Sequence, residues 1–147
     1  MDHSFNVRVY GVLISDAGSI LVSDEYIKGS FITKFPGGGL EYGEGILDCL
    51  KREWREELGQ EIEVGRHLYT TEFFQVSAFG DGRQIISIYY YVKALSPLTV
   101  MIKTTPFEFD KLEDQAQSFR WIAPGAFSED TVTLPIDKVV VRLVNEA

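Results

Sequence analysis

The chain has 147 residues and a formal charge of −8, from 14 Lys and Arg against 22 Asp and Glu. This length predicts one domain over residues 1–147, and the acidic balance argues against a sequence-independent grip on duplex nucleic acid. The single cysteine, Cys49, excludes a disulfide framework and a cysteine-rich zinc site. The sequence has no run of ~18 apolar residues and no recognisable signal peptide, so we expect a cytoplasmic protein that does not enter a membrane.

Four elements are predicted in the first half of the chain. Alternating apolar residues indicate a strand over residues 5–14, which ends at a turn over residues 15–18. Residues 19–23 are predicted to be its hairpin partner. A short strand over residues 31–35 is stopped by a proline and three glycines, and a helix follows over about residues 45–58.

The second half is rich in β-forming residues and turn signals. Its predicted elements are a strand over residues 68–79, a hairpin turn over 80–83, a strand over 84–94, a loop over 103–117, a strand over 119–122 and a helix that opens at Pro135. Proline suits the first position of a helix, and the apolar residues after it recur at helical spacing. The elements together predict one α+β domain with a mixed sheet and few helices.

The acidic surplus is concentrated in one segment. Residues 41–63 carry eight acids and three bases, so five of the eight excess negative charges lie there. A solvated helix face is the ordinary explanation for such a surplus. A site for cations is the other.

Three of these acids share one face of the predicted helix. At about 100° per residue, Glu53, Glu56 and Glu57 lie at the edge of the apolar stripe, at spacings of three and four residues. Like charges at that spacing repel, and Glu57 falls among the core-facing side chains, where a carboxylate loses solvation. Arg52 can reach Glu56, but one guanidinium cannot neutralise three acids. Mg²⁺ or Mn²⁺ can, because these ions prefer carboxylate oxygens and water.

A longer motif surrounds these acids. Its members are Gly38, Glu44, Arg52, Glu53, Glu56, Glu57 and Gly59. In identity and spacing the motif resembles the Nudix box of the Nudix hydrolases, over residues 38–60, and the flanking strands extend the likeness over most of the chain. One position departs from the pattern, since Gln60 stands where the box usually has an aliphatic residue; the carboxylates are untouched.

The resemblance implies both a fold and a reaction. The fold is a Nudix-like α/β/α sandwich with a mixed β-sheet and the box as a loop–helix–loop. The reaction is hydrolysis of a diphosphate linkage in a nucleoside diphosphate derivative by water, with Mg²⁺ or Mn²⁺ as cofactor. The residue types suit it, because a polyanionic substrate is repelled by an acidic site unless metals invert the local charge.

The resemblance also implies roles for single residues. The implied metal ligands are the carbonyl of Gly37 and the carboxylates of Glu53, Glu56 and Glu57. Glu53 is also, or instead, a candidate for activating the water. Arg52 would hold the glutamates in place, with Glu44 as structural support. The three glycines also have a simpler explanation as a turn between a strand and a helix.

Family members often recruit another acid from a loop outside the box. Glu113 is our candidate for this catalytic role, with Asp114 beside it and Glu108 behind; each is explained equally well as a solvated loop acid.

Outside the box the sequence says little about the substrate. Arg8, Lys34 and Arg83 are candidates for binding phosphates, and each is explained equally well as a surface charge. Aromatic residues on the predicted strands are expected to pack within the sheet rather than line a pocket.

Two other functions stay open. A non-catalytic nucleotide-binding module on the same fold is the main alternative, and a diphosphate isomerase is a weaker one. Homodimers are common on this fold, so a second copy of the chain is a candidate partner beside the small-molecule substrate.

Overall fold

The computed structural model describes residues 3–147 and builds them from eight strands and two α-helices. The strands are β1 (Phe5–Leu13), β2 (Ile20–Ile27), β3 (Ser30–Lys34), β4 (Gly37–Gly39), β5 (Ile62–Thr70), β6 (Gln84–Ala94), β7 (Ile102–Lys103) and β8 (Ala116–Ile122). The helices are α1 (Ile46–Leu58) and α2 (Pro135–Glu146), with 3₁₀ turns at Pro124–Ala126 and Glu129–Thr131.

The strands form two four-stranded sheets, and both sheets are mixed. In the first, of order β4-β1-β6-β5, β1 runs parallel to β6 while β4 and β5 are antiparallel to their neighbours. In the second, of order β3-β2-β8-β7, β2 is antiparallel to both partners and β7 is parallel to β8. The predicted α+β class with mixed sheets is confirmed.

The two helices cover two separate hydrophobic cores, and alternate residues of the strands contribute to each. Val9 and Leu13 of β1 pack in the core beneath α1, whereas Tyr10 and Val12 pack in the core beneath α2. Successive residues of a strand point to opposite faces, so one strand serves both cores. The α1 core includes Cys49, Leu50, Trp54 and Leu58, and the α2 core includes Ile136, Val140 and Val141. This is the sandwich that the resemblance implied.

The predicted hairpin between the first two strands is wrong. The turn itself forms, since the Ser15 N–H donates to the carbonyl of Ser19 at 2.8 Å. Next to the turn, Ile14 and Ile20 form a single antiparallel bridge. Beyond it the two strands separate into different sheets. The reason is that both edges of β1 are already paired, with β4 on one side and β6 on the other.

The predicted strand over residues 68–79 is misplaced, whereas the predicted turn over 80–83 forms. The strand forms earlier, at Ile62–Thr70, and pairs with β6 from Ile62 opposite Ala94 onwards. After β5 the chain stays beside β6, since the Thr71 N–H donates to the carbonyl of Ser87 at 3.0 Å. Residues 75–77 pair antiparallel with residues 83–85 around the turn, through a bridge between Val76 and Gln84. Within the predicted loop over 103–117, β8 already begins at Ala116.

The unusual residue at the end of the box closes helix α1 onto the sheet. Gly59 ends the helix in the left-handed conformation, with φ of 62°. Gln60 is 1% exposed, and its Nε2 donates to the carbonyls of Glu61 and Ser96 at 3.1 Å each. The polar side chain therefore ties the helix exit to the turn after β6. No helix within residues 3–147 is long and apolar enough to cross a bilayer.

Candidate active site

The glycines of β4 let the backbone lie against both β1 and α1. Gly37 has φ of 152°, and a Cβ there would overlap the carbonyl oxygen of Val9. A Cβ on Gly38 would lie 2.5 Å from the carboxylate of Glu53. Position 37 therefore needs glycine, and a side chain at position 38 would have to displace the Glu53 carboxylate, which rests on the bare backbone of β4.

Arg52 organises the acids that surround it. Its guanidinium forms a two-pronged pair with Glu44, at 2.8 and 2.7 Å. It also donates to Glu53 at 3.0 Å, to Glu56 at 3.1 Å and to the carbonyl of Gly39 at 3.0 Å. The hydrogen bond from Arg52 is the main reason that the pKa of Glu44 falls to about 2. One side chain thus sets the position of three carboxylates relative to β4.

Glu57 lies deeper than the other two helix acids. Burial, with smaller contributions from the nearby Glu25 and Glu53, raises the pKa of Glu57 to about 7, against the opposing effect of Lys34. The Nε2 of Gln117 donates to Glu57 at 3.3 Å. A carboxylate in this setting has lost water without gaining enough positive charge, so a bound cation would stabilise its ionised form.

Glu25 is an acid of this site that the sequence analysis missed. It lies on β2 and is bonded by the hydroxyl of Ser23 at 2.8 Å, by Gln117 at 3.3 Å and by the ammonium of Lys34 at 3.4 Å. Gln117 therefore bridges Glu25 and Glu57. Alternation along β2 places Ser23 and Glu25 on one face, but nothing in the pattern says that this face borders helix α1.

A single cleft of about 460 Å³ contains these groups. Glu25, Glu53, Glu57 and the three glycines of β4 line it together with residues of β1, β6, the 75–79 segment and the first turn of α2. This volume lies in the range of small-molecule sites. The 75–79 segment, which pairs with the start of β6, therefore supplies a wall of the cleft.

Two of the three basic candidates line this cleft. Arg8 donates from Nε to the hydroxyl of Tyr10, and Lys34, 6% exposed, lies 5.3 Å from the Tyr10 ring centre. Arg83 is not among the lining residues, and its guanidinium donates to the carbonyl of Phe5 at 3.2 Å. It precedes the first residue of β6 and lies outside the lining, so the structure does not bring Arg83 together with the other two, and its phosphate-binding role stays a prediction.

The loop acids are placed elsewhere as well. Glu113 pairs with Lys111 at 3.5 Å on the exposed surface and does not line the cleft. Asp114 accepts the backbone N–H of Lys28 at 2.8 Å, which folds this segment onto the β2–β3 turn. The proposed recruitment of Glu113 as a catalytic acid is therefore not supported, and Glu25 is the acid that lies beside Glu57.

The donors of the cleft suit a hard divalent cation. They are oxygens from carboxylates and a backbone carbonyl, the types that Mg²⁺ and Mn²⁺ prefer. Within residues 3–147, however, no three Asp, Glu, His or Cys side chains converge closely enough to enclose an ion. The guanidinium of Arg52 bonds Glu53 and Glu56 instead, and the side chain of Glu56 is 60% exposed.

Comparison with known proteins places this geometry in a family. The model of the NUDIX domain matches residues 5–143. Nucleoside triphosphatase NudI of Salmonella arizonae is 31% identical over 96 residues, which are 63% of this chain and 62% of that protein. NudI of Salmonella newport is 32% identical over 92 residues, or 60% and 59%. The chain thus matches about three fifths of the length of these curated relatives.

Solved structures share the fold at low sequence identity. The solution structure of the E. coli ORF135 protein superposes with a TM-score of 0.69 at 21% identity and covers 96% of this chain and 89% of that one. The MutT protein from Methanosarcina mazei Go1 superposes with a TM-score of 0.71 at 15% identity, over 99% and 96%. At these identities the likeness concerns the fold.

Proposed function

This chain belongs to the NUDIX domain family, and from that premise we propose that it is a pyrophosphohydrolase of nucleoside diphosphate derivatives. The observation that carries the proposal is the single cleft in which Glu53 and Glu57 meet the glycine backbone of β4, with Lys34 and Arg8 in the same lining. The names of the relatives direct the first tests to nucleoside triphosphates.

In the proposed reaction the acids hold the cofactor and the bases hold the substrate. The ligands would be the Gly37 carbonyl and the carboxylates of Glu53, Glu56 and Glu57. Bound Mg²⁺ or Mn²⁺ would neutralise phosphate charge and make a water more acidic. Glu53 rests against the β4 backbone, where it can also accept a proton from that water.

Other residues of the proposed site position or neutralise these groups. Arg8 and Lys34 would meet phosphate oxygens, since both line the cleft and carry positive charge. Arg52 and Glu44 are positioning residues: their two-pronged pair sets the helix acids without lining the cleft. A cytoplasmic location is also part of the proposal, supported by the unpaired, buried thiol of Cys49.

A substrate screen tests the proposal. The purified chain, with Mg²⁺ and separately with Mn²⁺, is incubated with nucleoside triphosphates, ADP-ribose, sugar nucleotides and dinucleoside polyphosphates, and the phosphorus products are quantified. We expect release of a nucleoside monophosphate from at least one class. Absence of turnover across all classes with both metals would overturn the proposal.

A matched pair of variants tests the site. Glu57→Gln is expected to lower kcat on the order of 100-fold, because the deepest carboxylate ligand is removed. Glu113→Gln removes the same charge from an exposed position outside the cleft and should leave kcat within about twofold. Equal effects of the two variants would contradict the proposed site.

A non-catalytic nucleotide-binding module is the second candidate. It is favoured by the bonds from Arg52, which already engage one carboxylate oxygen of Glu53 and one of Glu56. Calorimetry separates the two: binding of a nucleoside triphosphate in the presence of Mg²⁺ and Mn²⁺, without product in the screen, identifies the module.

A further inference from the structure

Three adjacent strands of the second sheet bring Lys34, Glu25 and Gln117 side by side. Glu25 on β2 stands opposite Gln117 of β8. Ser23, two residues earlier on the same face of β2, stands opposite Lys34 of β3. Lys34 and Glu25 both line the cleft, so the register of this sheet places a base and an acid together in its wall.

A continuous series of polar contacts runs from Lys34 to Glu57. The ammonium of Lys34 lies 3.4 Å from Oε2 of Glu25, and Nε2 of Gln117 donates to the same oxygen at 3.3 Å. Nε2 of Gln117 also donates to Oε2 of Glu57 at 3.3 Å. In the proposed function Lys34 would meet the phosphates and Glu57 the metal, and Glu25 connects these two groups.

The hydroxyl of Ser23 completes this group. It accepts a hydrogen bond from Nε2 of Gln117 at 2.9 Å and donates to Oε2 of Glu25 at 2.8 Å. The amide hydrogens of Gln117 are therefore shared among three acceptors, and the carboxylate of Glu25 is held by three donors. Such a network fixes the positions of its members relative to one another.

The ion pair between Lys34 and Glu25 is better explained by what it positions than by what it adds to stability. Their side chains are only 7% and 13% exposed. Burial opposes the charged form of Lys34, but Tyr10 and Glu25 more than offset it, so the pKa of Lys34 stays above its ordinary value. A buried ion pair adds little net stability, because both charges have lost their hydration.

The next acid of β2, Asp24, shows the contrast. Arg120 forms a two-pronged pair with its carboxylate at 2.6 and 3.2 Å, and the hydroxyl of Thr33 donates to it at 2.7 Å. Asp24 is fully buried and does not line the cleft. Alternation along the strand thus turns Asp24 to the fold and Glu25 to the cleft.

Resting on the proposed function, we infer that Glu25 is a positioning residue: it holds the ammonium of Lys34 in the wall of the cleft and, through Gln117, holds the carboxylate of Glu57. Its charge has a second consequence. A phosphate that approaches Lys34 competes with Glu25 for the ammonium and is repelled by the carboxylate. Glu25 therefore keeps the reacting groups in place and weakens phosphate binding.

Two substitutions of Glu25 separate its position from its charge. All three donors meet one oxygen, so the amide oxygen of Glu25→Gln can keep them without the negative charge. We expect Glu25→Gln to keep kcat within about threefold of the wild type and to lower KM at least about threefold.

Glu25→Ala removes the contacts together with the charge. We expect its kcat to fall about tenfold or more, because small displacements of reacting groups are enough. Equal kcat values of Glu25→Ala and Glu25→Gln would overturn the inference. Glu63→Gln is the matched control, since it removes the same charge from an exposed position on β5 and should leave kcat and KM within about twofold.

Gln117→Leu tests the connection to Glu57. It breaks the contact between Glu25 and Glu57 and leaves the pair of Glu25 with Lys34, so we expect kcat to fall about fivefold or more while KM stays within about twofold. A lower melting temperature with unchanged kcat would assign Gln117 a purely structural role and overturn the inference. If Glu25→Ala does not fold, as its melting curve will show, Gln117→Leu and Glu25→Gln decide the question.

Binding of inorganic diphosphate keeps this inference separate from the proposed function. In calorimetry with Mg²⁺ present, we expect Glu25→Gln to bind diphosphate at least about threefold more tightly than the wild type, and Glu63→Gln to bind it equally well. Tighter binding by Glu25→Gln without turnover by the wild type overturns only the hydrolase. Turnover by the wild type with an affinity that Glu25→Gln leaves unchanged overturns only the role of Glu25.

Discussion

Carboxylates in this protein differ in pKa because single residues differ in their neighbours. Glu44 is held ionised, with a pKa of about 2, by the forked pair with Arg52, whereas burial raises the pKa of Glu57 to about 7 and that of Asp137 to about 6. The first is a positioning residue that supports its neighbours. The other two are buried in the cleft without sufficient compensation, which is typical of sites that await a ligand.

Because Asp137 is buried, removing its charge is predicted to stabilise the fold by an amount that depends on pH. Its pKa is raised from 3.8 to about 6 on folding, so the folded state favours the protonated form. The resulting stabilisation is present below pH 3.8 and is lost as the pH rises through 6; at pH 8 the ionised group costs roughly 3 kcal/mol. We expect Asp137→Asn to melt at least about 2 °C above the wild type at pH 8.

Near pH 4, Asp137→Asn should melt no higher than the wild type, because the wild-type carboxyl is then protonated in the folded state. Asp48→Asn, at the equivalent exposed position of α1, should lower the melting temperature slightly at pH 8 by removing a favourable helix-dipole interaction. If Asp137→Asn melts below the wild type at both pH values, the ionised Asp137 carboxylate does not destabilise the fold as predicted.

At the scale of elements, the site depends on the close approach of β4 to helix α1. A Cβ on Gly38 would meet the Glu53 carboxylate at 2.5 Å, whereas a Cβ on Gly39 would find its nearest neighbour at an ordinary 3.6 Å. Gly38→Ala must therefore displace Glu53 from the strand. We expect a loss of activity of about tenfold or more, measured as kcat with Mg²⁺, because a small displacement of a metal ligand is enough.

Gly39→Ala is the control for that variant and should keep activity within about twofold. It retains the carbonyl that Arg52 bonds at 3.0 Å. Equal activities of the two alanine variants would show that the contact between Gly38 and Glu53 does not matter for the reaction.

The exit of helix α1 carries its own prediction. Gln60 satisfies the carbonyls of Glu61 and Ser96 from a fully buried position. Gln60→Ala removes the side-chain donor to the Ser96 carbonyl and leaves a cavity, while the Glu61 carbonyl keeps the N–H of Leu95 at 3.0 Å. We expect the free energy of unfolding in urea to fall by about 2–4 kcal/mol.

Gln60→Leu introduces the aliphatic residue that is usual at this position of the Nudix box. It fills the volume but does not restore the hydrogen bonds. This variant should recover only part of the free energy of unfolding that Gln60→Ala loses. A leucine variant as stable as the wild type would show that the hydrogen bonds of Gln60 do not contribute to stability.

At the scale of the whole molecule, the charge of −8 predicts a response to divalent ions. An ion that binds the folded state raises its stability by an amount that grows with concentration, about 2.7 kcal/mol at a hundred times its dissociation constant. We expect Mg²⁺ or Mn²⁺ to raise the melting temperature of the wild type by several degrees. Glu56→Gln should reduce that rise, and Glu113→Gln should preserve it.

A melting temperature that neither ion changes would contradict the metal site. An equal rise in the wild type and in Glu56→Gln would instead place the ion away from that carboxylate.

The features that the sequence determined by itself are local ones. Helical spacing brings Glu53, Glu56 and Glu57 to one face whatever the rest of the fold does, because residues three and four apart are neighbours on any helix. The glycine run before that helix and the proline that opens α2 also act within a few residues of themselves. For this reason the box, both helices and the α+β class were predictable from the sequence.

The tertiary structure alone decided which distant groups meet. Gln117 reaches Glu57 across 60 residues of chain, and Tyr89 reaches Asp137 across 48. No local pattern records such a pairing, since a strand's periodicity gives its two faces but not the element that each face will meet. The failed pairing of β1 with β2, the positions of Arg83 and Glu113 outside the lining of the cleft, and the position of Glu25 beside Glu57 share that cause. Each depends on which edges and faces other parts of the chain have already occupied.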